Sequence, residues 1–72
     1  MKDDALYLSS ILDAIRRILT YTSSGPEDFF ADTKTQGAVI RNFEIMGEAA
    51  KRVSHKLRET HPEIPWKRIA GM

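Results

Sequence analysis

The sequence predicts an all-α fold, an antiparallel helical hairpin of the up-and-down bundle type that is incomplete in this chain. Three observations carry that expectation. Apolar residues recur at spacings of three, four and seven along two long segments. Ser, Gly and Pro gather between the segments and after the second. No stretch alternates apolar and polar residues as a half-buried strand would.

The first helix is expected over residues 4 to 21, with Leu8, Ile11, Leu12, Ile15, Ile18 and Leu19 as its apolar stripe and Ser9, Asp13, Arg16, Arg17 and Thr20 outside. Asp3 and Asp4 stand in or near its first turn, where negative charge complements the helix dipole. In "TSSGPEDFFAD" the Ser-Ser-Gly run ends that helix, and Pro26, Glu27 and Asp28 start a short helical turn. Phe29 and Phe30 are expected to plug the end of the core. Thr33 with Gln36 three positions on matches a capping box and opens a long helix, expected over residues 34 to 58. Its stripe is Val39, Phe43, Met46, Ala50, Val53 and Leu57. Pro62 and Pro65 end the pattern, and Pro65 suits the first position of a further short turn with Trp66 and Ile69.

Two helices give each stripe one neighbour, so part of each stays wet until something covers it. At 72 residues the chain is at most one domain, and a domain of that size buries only about 60% of its unfolded surface. Completion of the bundle by dimerisation or by further C-terminal helices is therefore expected.

Composition narrows the function classes. With 42% hydrophobic and 29% charged residues the chain is of ordinary soluble globular type. Eleven basic and ten acidic residues, interspersed, make no basic arm that would by itself argue for nucleic acid. The absence of cysteine excludes disulfides, thiolate catalysis and cysteine-ligated zinc within the chain, and suits a cytoplasmic location. The start "MKDDALYLSS" lacks the layout of a signal peptide, and the longest apolar runs are far too short to span a membrane.

Two residues of "AVIRNFEIMGEAAKRV" resist explanation by helix propensity. Gly47 costs about 0.8 to 1 kcal/mol relative to Ala in a helix interior, and Asn42 must find partners for its amide if buried. On a helical wheel both fall at the margins of the apolar side, Asn42 beside Ala49. Gly47, with Ala49 and Ala50, suits a tight helix crossing. Asn42 can fix pairing register, anchor a loop or line a polar cleft. Arg41, Glu44, Glu48, Lys51, Arg52 and His55 gather on the opposite side, as either a solvated face with ion pairs or part of a site.

Catalytic and cofactor patterns are missing. His55 and His61 are six positions apart, not the i, i+4 placement of a helical metal pair. Ser9 and Ser10 have no histidine near them in sequence, and Gly25, Gly37, Gly47 and Gly71 form no phosphate-cradling loop. Trp66 can stack on a base but more readily packs against the helix pair. No metal and no cofactor are expected.

The blocks "DDALYLSSILDAIRRI", "KTQGAVIRNFEIMGEAAKRVS" and "HPEIPWKRIAGM" resemble, in order and spacing, the HepT-like branch of the HEPN superfamily, and the likeness covers essentially all 72 residues. The resemblance implies a single helical domain, of which residues 1 to 72 are the N-terminal part, and an up-and-down bundle that dimerises. It implies a toxin acting as a metal-independent endoribonuclease in a type VII toxin–antitoxin system, neutralised by an MntA-type nucleotidyltransferase. In that family an Arg, four residues, a His, one residue and a Tyr follow the W-x-x-I-A-G-M block, which here is Trp66 to Met72. The expected consequence is a chain inactive by itself, with no catalytic residue of its own. The alternative is a non-catalytic helical interaction module that binds the nucleotidyltransferase or a second copy. By resemblance Gln36, Arg41, Asn42, Glu44, Gly47, Glu48 and Lys51 are the patterned residues present. Arg41, Asn42, Glu44, Gly47 and Glu48 are the cleft or dimer-interface candidates, with Asn42 and Glu48 foremost as polar support. Gly37 departs from the family, which often has an acidic residue there.

Overall fold

The computed structural model describes residues 2–71. Met72, the last residue of the Trp66 block, lies outside the described residues, as does Met1. Five helices follow in order, α1 (Lys2–Tyr21), α2 (Pro26–Ala31), α3 (Thr33–Arg52), α4 (His55–Thr60) and α5 (Trp66–Ala70), with no strand among the described residues. The all-α expectation holds. α1 and α3 lie side by side, and the contact of Asp4 with Ser54 makes them antiparallel. α2 and α5 both pack on α3, giving an elongated body of 42 × 20 × 16 Å.

The connection after α1 follows its sequence closely. Thr22 and Ser23 turn their hydroxyls back onto the carbonyls of Ile18 and Thr20, both at 2.8 Å, and so satisfy acceptors that the last turn of α1 leaves open. Gly25 then takes φ +92°, a backbone region open almost only to glycine. Pro26 enters α2 at its first turn, with Glu27 and Asp28 at the positive end of the helix dipole.

The start of α3 differs from the capping-box expectation. Asp32, one residue earlier than Thr33, is the N-cap: its carboxylate accepts from the backbone N–H groups of Lys34 at 3.0 Å and Thr35 at 3.3 Å. It also accepts from the Thr35 hydroxyl at 2.7 Å. An ionised acceptor makes the stronger cap. Gln36 instead reaches across the connection, donating to the carbonyls of Phe29 and Phe30, each at 3.0 Å, and ties α2 to α3.

The long helix ends six residues before the expected 58. Val53 leaves helical geometry at φ −63°, ψ 137°, and Ser54 becomes the N-cap of α4, accepting from the Leu57 N–H at 3.2 Å. The break is fastened from both sides. Asp4 accepts from the Ser54 backbone at 2.8 Å and from its hydroxyl at 2.6 Å, while Arg58 reaches back to the Ala50 carbonyl at 2.5 Å.

Packing revises which residues form the seam. On α3 the buried residues are Val39, Asn42, Met46, Gly47, Ala49 and Ala50, with Val53 just beyond and Phe43 half-buried. Asn42 thus lies within the buried seam, not at its margin. On α1 the residues turned to α3 are Asp4, Tyr7, Ile11, Ala14 and Ile18, whereas Leu8, Leu12, Ile15 and Leu19 of the expected stripe stay exposed. α1 therefore carries two seams of alternating three- and four-residue spacing, offset by one residue and so about 100° apart. The Phe pair divides likewise: Phe29 is half-buried, but Phe30 is 74% exposed and only leans edge-on against its neighbour, so it does not plug the core.

α5 begins at Trp66, with Pro65 outside it as the capping residue, one position earlier than the sequence suggested. The Trp66 indole is buried and donates to the His61 carbonyl at 3.0 Å, satisfying its one polar group.

Candidate functional site

Two of the grooves among the described residues gather charged side chains over an apolar floor. The first lies between α1 and α3, has a volume of about 370 Å³, and is rimmed by Tyr7, Ser10, Arg41, Glu44, Glu48 and Arg52 over a floor of Ile45 and Ala49. Positions 41, 44, 48 and 52 follow helical spacing, so α3 places two guanidinium and two carboxylate groups along one flank of its buried seam. Among the described residues Arg41, Glu44 and Arg52 make no ion pair, and Glu48 pairs only outward, with exposed Lys51 at 3.5 Å. The groove is thus a polar trough of balanced charge whose hydrogen-bonding groups face solvent.

Three of the five expected site residues, Arg41, Glu44 and Glu48, line that trough together. Asn42 does not. It is 5% exposed within the seam, its amide NH2 donates to the Ala38 carbonyl at 2.8 Å, and its Oδ1 is buried with no partner among the described residues. Gly47 is buried as well and also lies off the trough.

The second groove lies between α4 and α5 and was not legible as a site in the sequence. It has a volume of about 450 Å³, with His55 and Arg58 on one rim, Lys67 and Arg68 on the other, and Ile64, Pro65 and Trp66 beneath. One signal did exist. Residues 49 to 72 hold six of the eleven basic residues, Lys51, Arg52, Lys56, Arg58, Lys67 and Arg68, against only Glu59 and Glu63. An overall balance near zero conceals that segregation.

Two carboxylates that fasten helix starts are held low. Asp4 is held below the usual carboxylate range by the Ser54 hydroxyl first and the Ser54 backbone N–H second. Asp32 is held low in the same way by the Thr35 hydroxyl and then the Thr35 backbone. Neither carboxylate borders either of the two grooves. His61 contacts Glu63 at 3.2 Å, while His55 stands on the second groove with no histidine or carboxylate beside it there. Among the described residues no histidine lines the first groove, and its Ser10 hydroxyl donates to the Leu6 carbonyl at 3.1 Å. Both grooves offer cations, hydrogen-bond donors and an apolar floor, the equipment for binding a polar chain.

An antiparallel helix pair flanked by short helices defines a small all-α fold of helical-bundle type. The family model described as "Ribonuclease HepT-like" matches residues 11–72. The "Probable ribonuclease HepT" of Thermococcus cleftensis is 48% identical over 67 residues, covering 92% of this chain and 61% of that protein. The "Gamma-glutamylcyclotransferase and putative RNase" of Methanocaldococcus jannaschii is 46% identical over 72 residues, covering 99% of this chain and 32% of that protein. The chain belongs to the HepT-like ribonuclease family. It spans about three fifths of the first relative's length and about one third of the second's. No solved structure matches it.

Proposed function

We propose that this chain is the helix-pair part of a HepT-like toxin whose whole-protein activity is metal-independent cleavage of RNA, within a type VII toxin–antitoxin pair. The observation that carries the reading is the family match over residues 11–72. In such chemistry the RNA 2'-hydroxyl is the nucleophile, a histidine moves the proton and an arginine stabilises the charge on phosphorus. The family's Arg-x4-His-x-Tyr pattern is not found in residues 1 to 72: five positions before His55 and His61 stand Ala50 and Lys56. The 72-residue chain by itself therefore does not cleave RNA. Purified chain incubated with end-labelled RNA in chelator is expected to leave it intact, and cleavage above a mock preparation would overturn this.

The second reading, an interaction module, is favoured by one feature. Ala5, Leu8, Leu12, Ile15 and Leu19 form an exposed seam on α1, with Leu12 46% and Leu19 65% exposed. Apolar positions in that rhythm suit another helix, and we assign the seam to a second copy of the chain, making a homodimer. An MntA-type nucleotidyltransferase is the proposed antitoxin partner, and the trough of Arg41, Glu44 and Glu48, with Asn42 and Gly47 behind it, is the proposed cleft support. Co-expression with the nucleotidyltransferase and capture of either protein tests the pairing; failure to co-purify counts against it. The proposed setting is the cytoplasm. Among the described residues no helix is long and apolar enough to cross a membrane.

A further inference from the structure

We propose that the groove between α4 and α5 is a docking site for single-stranded RNA, which rests on the ribonuclease reading above and adds to it where the strand lies. The floor of Ile64, Pro65 and Trp66 is apolar, while the rims carry His55, Arg58, Lys67 and Arg68 and no carboxylate. A ligand that complements both joins flat apolar units to a line of negative charge, and a nucleotide strand has that chemistry. A single strand fits better than a duplex because its bases are free to lie on the floor while phosphates meet the rims. At about 450 Å³ the groove falls within the range of sites that enclose small ligands.

The groove is also built to hold its shape. The Trp66 indole is anchored by its bond to the His61 carbonyl at 3.0 Å, and the Arg58 guanidinium by its bond to the Ala50 carbonyl at 2.5 Å. The Arg58 Nε is buried without an acceptor, so this cation is partly stripped of water and its field is less screened. Glu63, a nearby acid, is turned to His61 at 3.2 Å, and Glu59 does not line the groove. Three of the six cations of residues 49 to 72, Arg58, Lys67 and Arg68, thus meet at this groove.

The unmodified protein supplies its own reporter, because Trp66 is the only tryptophan. Titration with a short oligouridylate is expected to change Trp66 emission, with affinity falling as salt rises. Lys67→Gln with Arg68→Gln is expected to weaken binding at least tenfold and to lower the salt slope by about 1.4, at about 0.7 per phosphate contact on a single strand. Arg16→Gln with Arg17→Gln, on the exposed side of α1, is expected to change neither. Binding that leaves Trp66 emission unchanged, or that responds equally to both double variants, overturns this site while leaving the ribonuclease reading intact. Oligoglutamate of equal charge competing as well as RNA overturns it in favour of an acidic peptide. No binding at low salt also overturns it, while the ribonuclease reading keeps its separate support in the family match. RNA cleaved by the pure chain overturns its proposed inactivity without touching the docking site.

Discussion

Asn42 carries an unresolved cost. Its amide donates to Ala38, but its carbonyl oxygen is buried and unpaired among the described residues, a loss of about 1 to 3 kcal/mol. Asn42→Leu, close in volume and without polar atoms, is expected to raise the stability of the isolated chain by about 1 kcal/mol in urea denaturation. A lower midpoint would show that the oxygen is satisfied. The sequence showed that an asparagine here needed a reason, but its wheel position at the margin was wrong. A helical wheel places a residue relative to its own stripe, whereas burial is decided by the partner helix, and α1 meets α3 through the small residue Ala14.

Ser54 and Asp4 act at the same scale. Ser54→Ala removes the N-cap of α4 and one of the two groups that Asp4 accepts from, and is expected to destabilise the chain by about 1 to 2 kcal/mol. The Asp4 and Asp32 carboxyls are both held below their ordinary range in the folded chain. Their contribution is therefore complete above the unfolded carboxylate pKa near 4 and is lost as pH falls through the lower folded values. Melting temperature is expected to drop on acidification below about pH 4. Asp4→Asn is expected to melt lower at neutral pH and to show a shallower acid slope; an unchanged slope would refute the assignment.

Among the elements, the connection between α1 and α2 was the most readable, because Gly and Pro act through the backbone alone and need no partner to be understood. Gly25 sits at φ +92° with open space where a Cβ would stand, so the cost of a side chain there is purely conformational. Gly25→Ala is expected to lose about 1 to 3 kcal/mol by denaturant titration. The break between α3 and α4 was hidden for the opposite reason. Val53 and Leu57 continue the helical rhythm across it, and the residue that fastens it, Asp4, lies 50 positions away. α1 misled in another manner: two seams one residue apart look, in sequence, like one broad stripe. The structure separates the seam against α3 from the one left open. If that open seam joins two copies, Leu12→Gln with Leu19→Gln is expected to shift sedimentation toward monomer while helical content is kept. A monomeric wild type at micromolar concentration would remove the proposal.

At the scale of the whole molecule the two grooves differ in kind. The trough between α1 and α3 carries two Arg and two Glu and is neutral on balance, whereas the rims of the groove between α4 and α5 carry Arg58, Lys67 and Arg68 and no carboxylate. The trough's residues were legible because α3 is long and regular, so spacing alone puts Arg41, Glu44 and Glu48 on one side. The second groove depends on two helices of six and five residues meeting across a Pro-bounded turn, an arrangement no periodicity encodes. Only the uneven charge along the chain pointed toward it. The core between the grooves is thin: among the described residues no large side chain is completely buried, and much of the core is Ala and Val.

The clasp of Asp4 on Ser54 also bears on the order in which the molecule assembles. Each helix closes over a few neighbouring residues, but the clasp joins positions 50 apart, and ordering so long a loop is entropically late. Contacts made after the rate-limiting barrier leave the folding rate alone and hold back only the reverse step. Loss of the clasp, as in Asp4→Asn, should therefore make this protein come apart faster without making it form more slowly, and stopped-flow unfolding and refolding limbs of variant and wild type would separate the two.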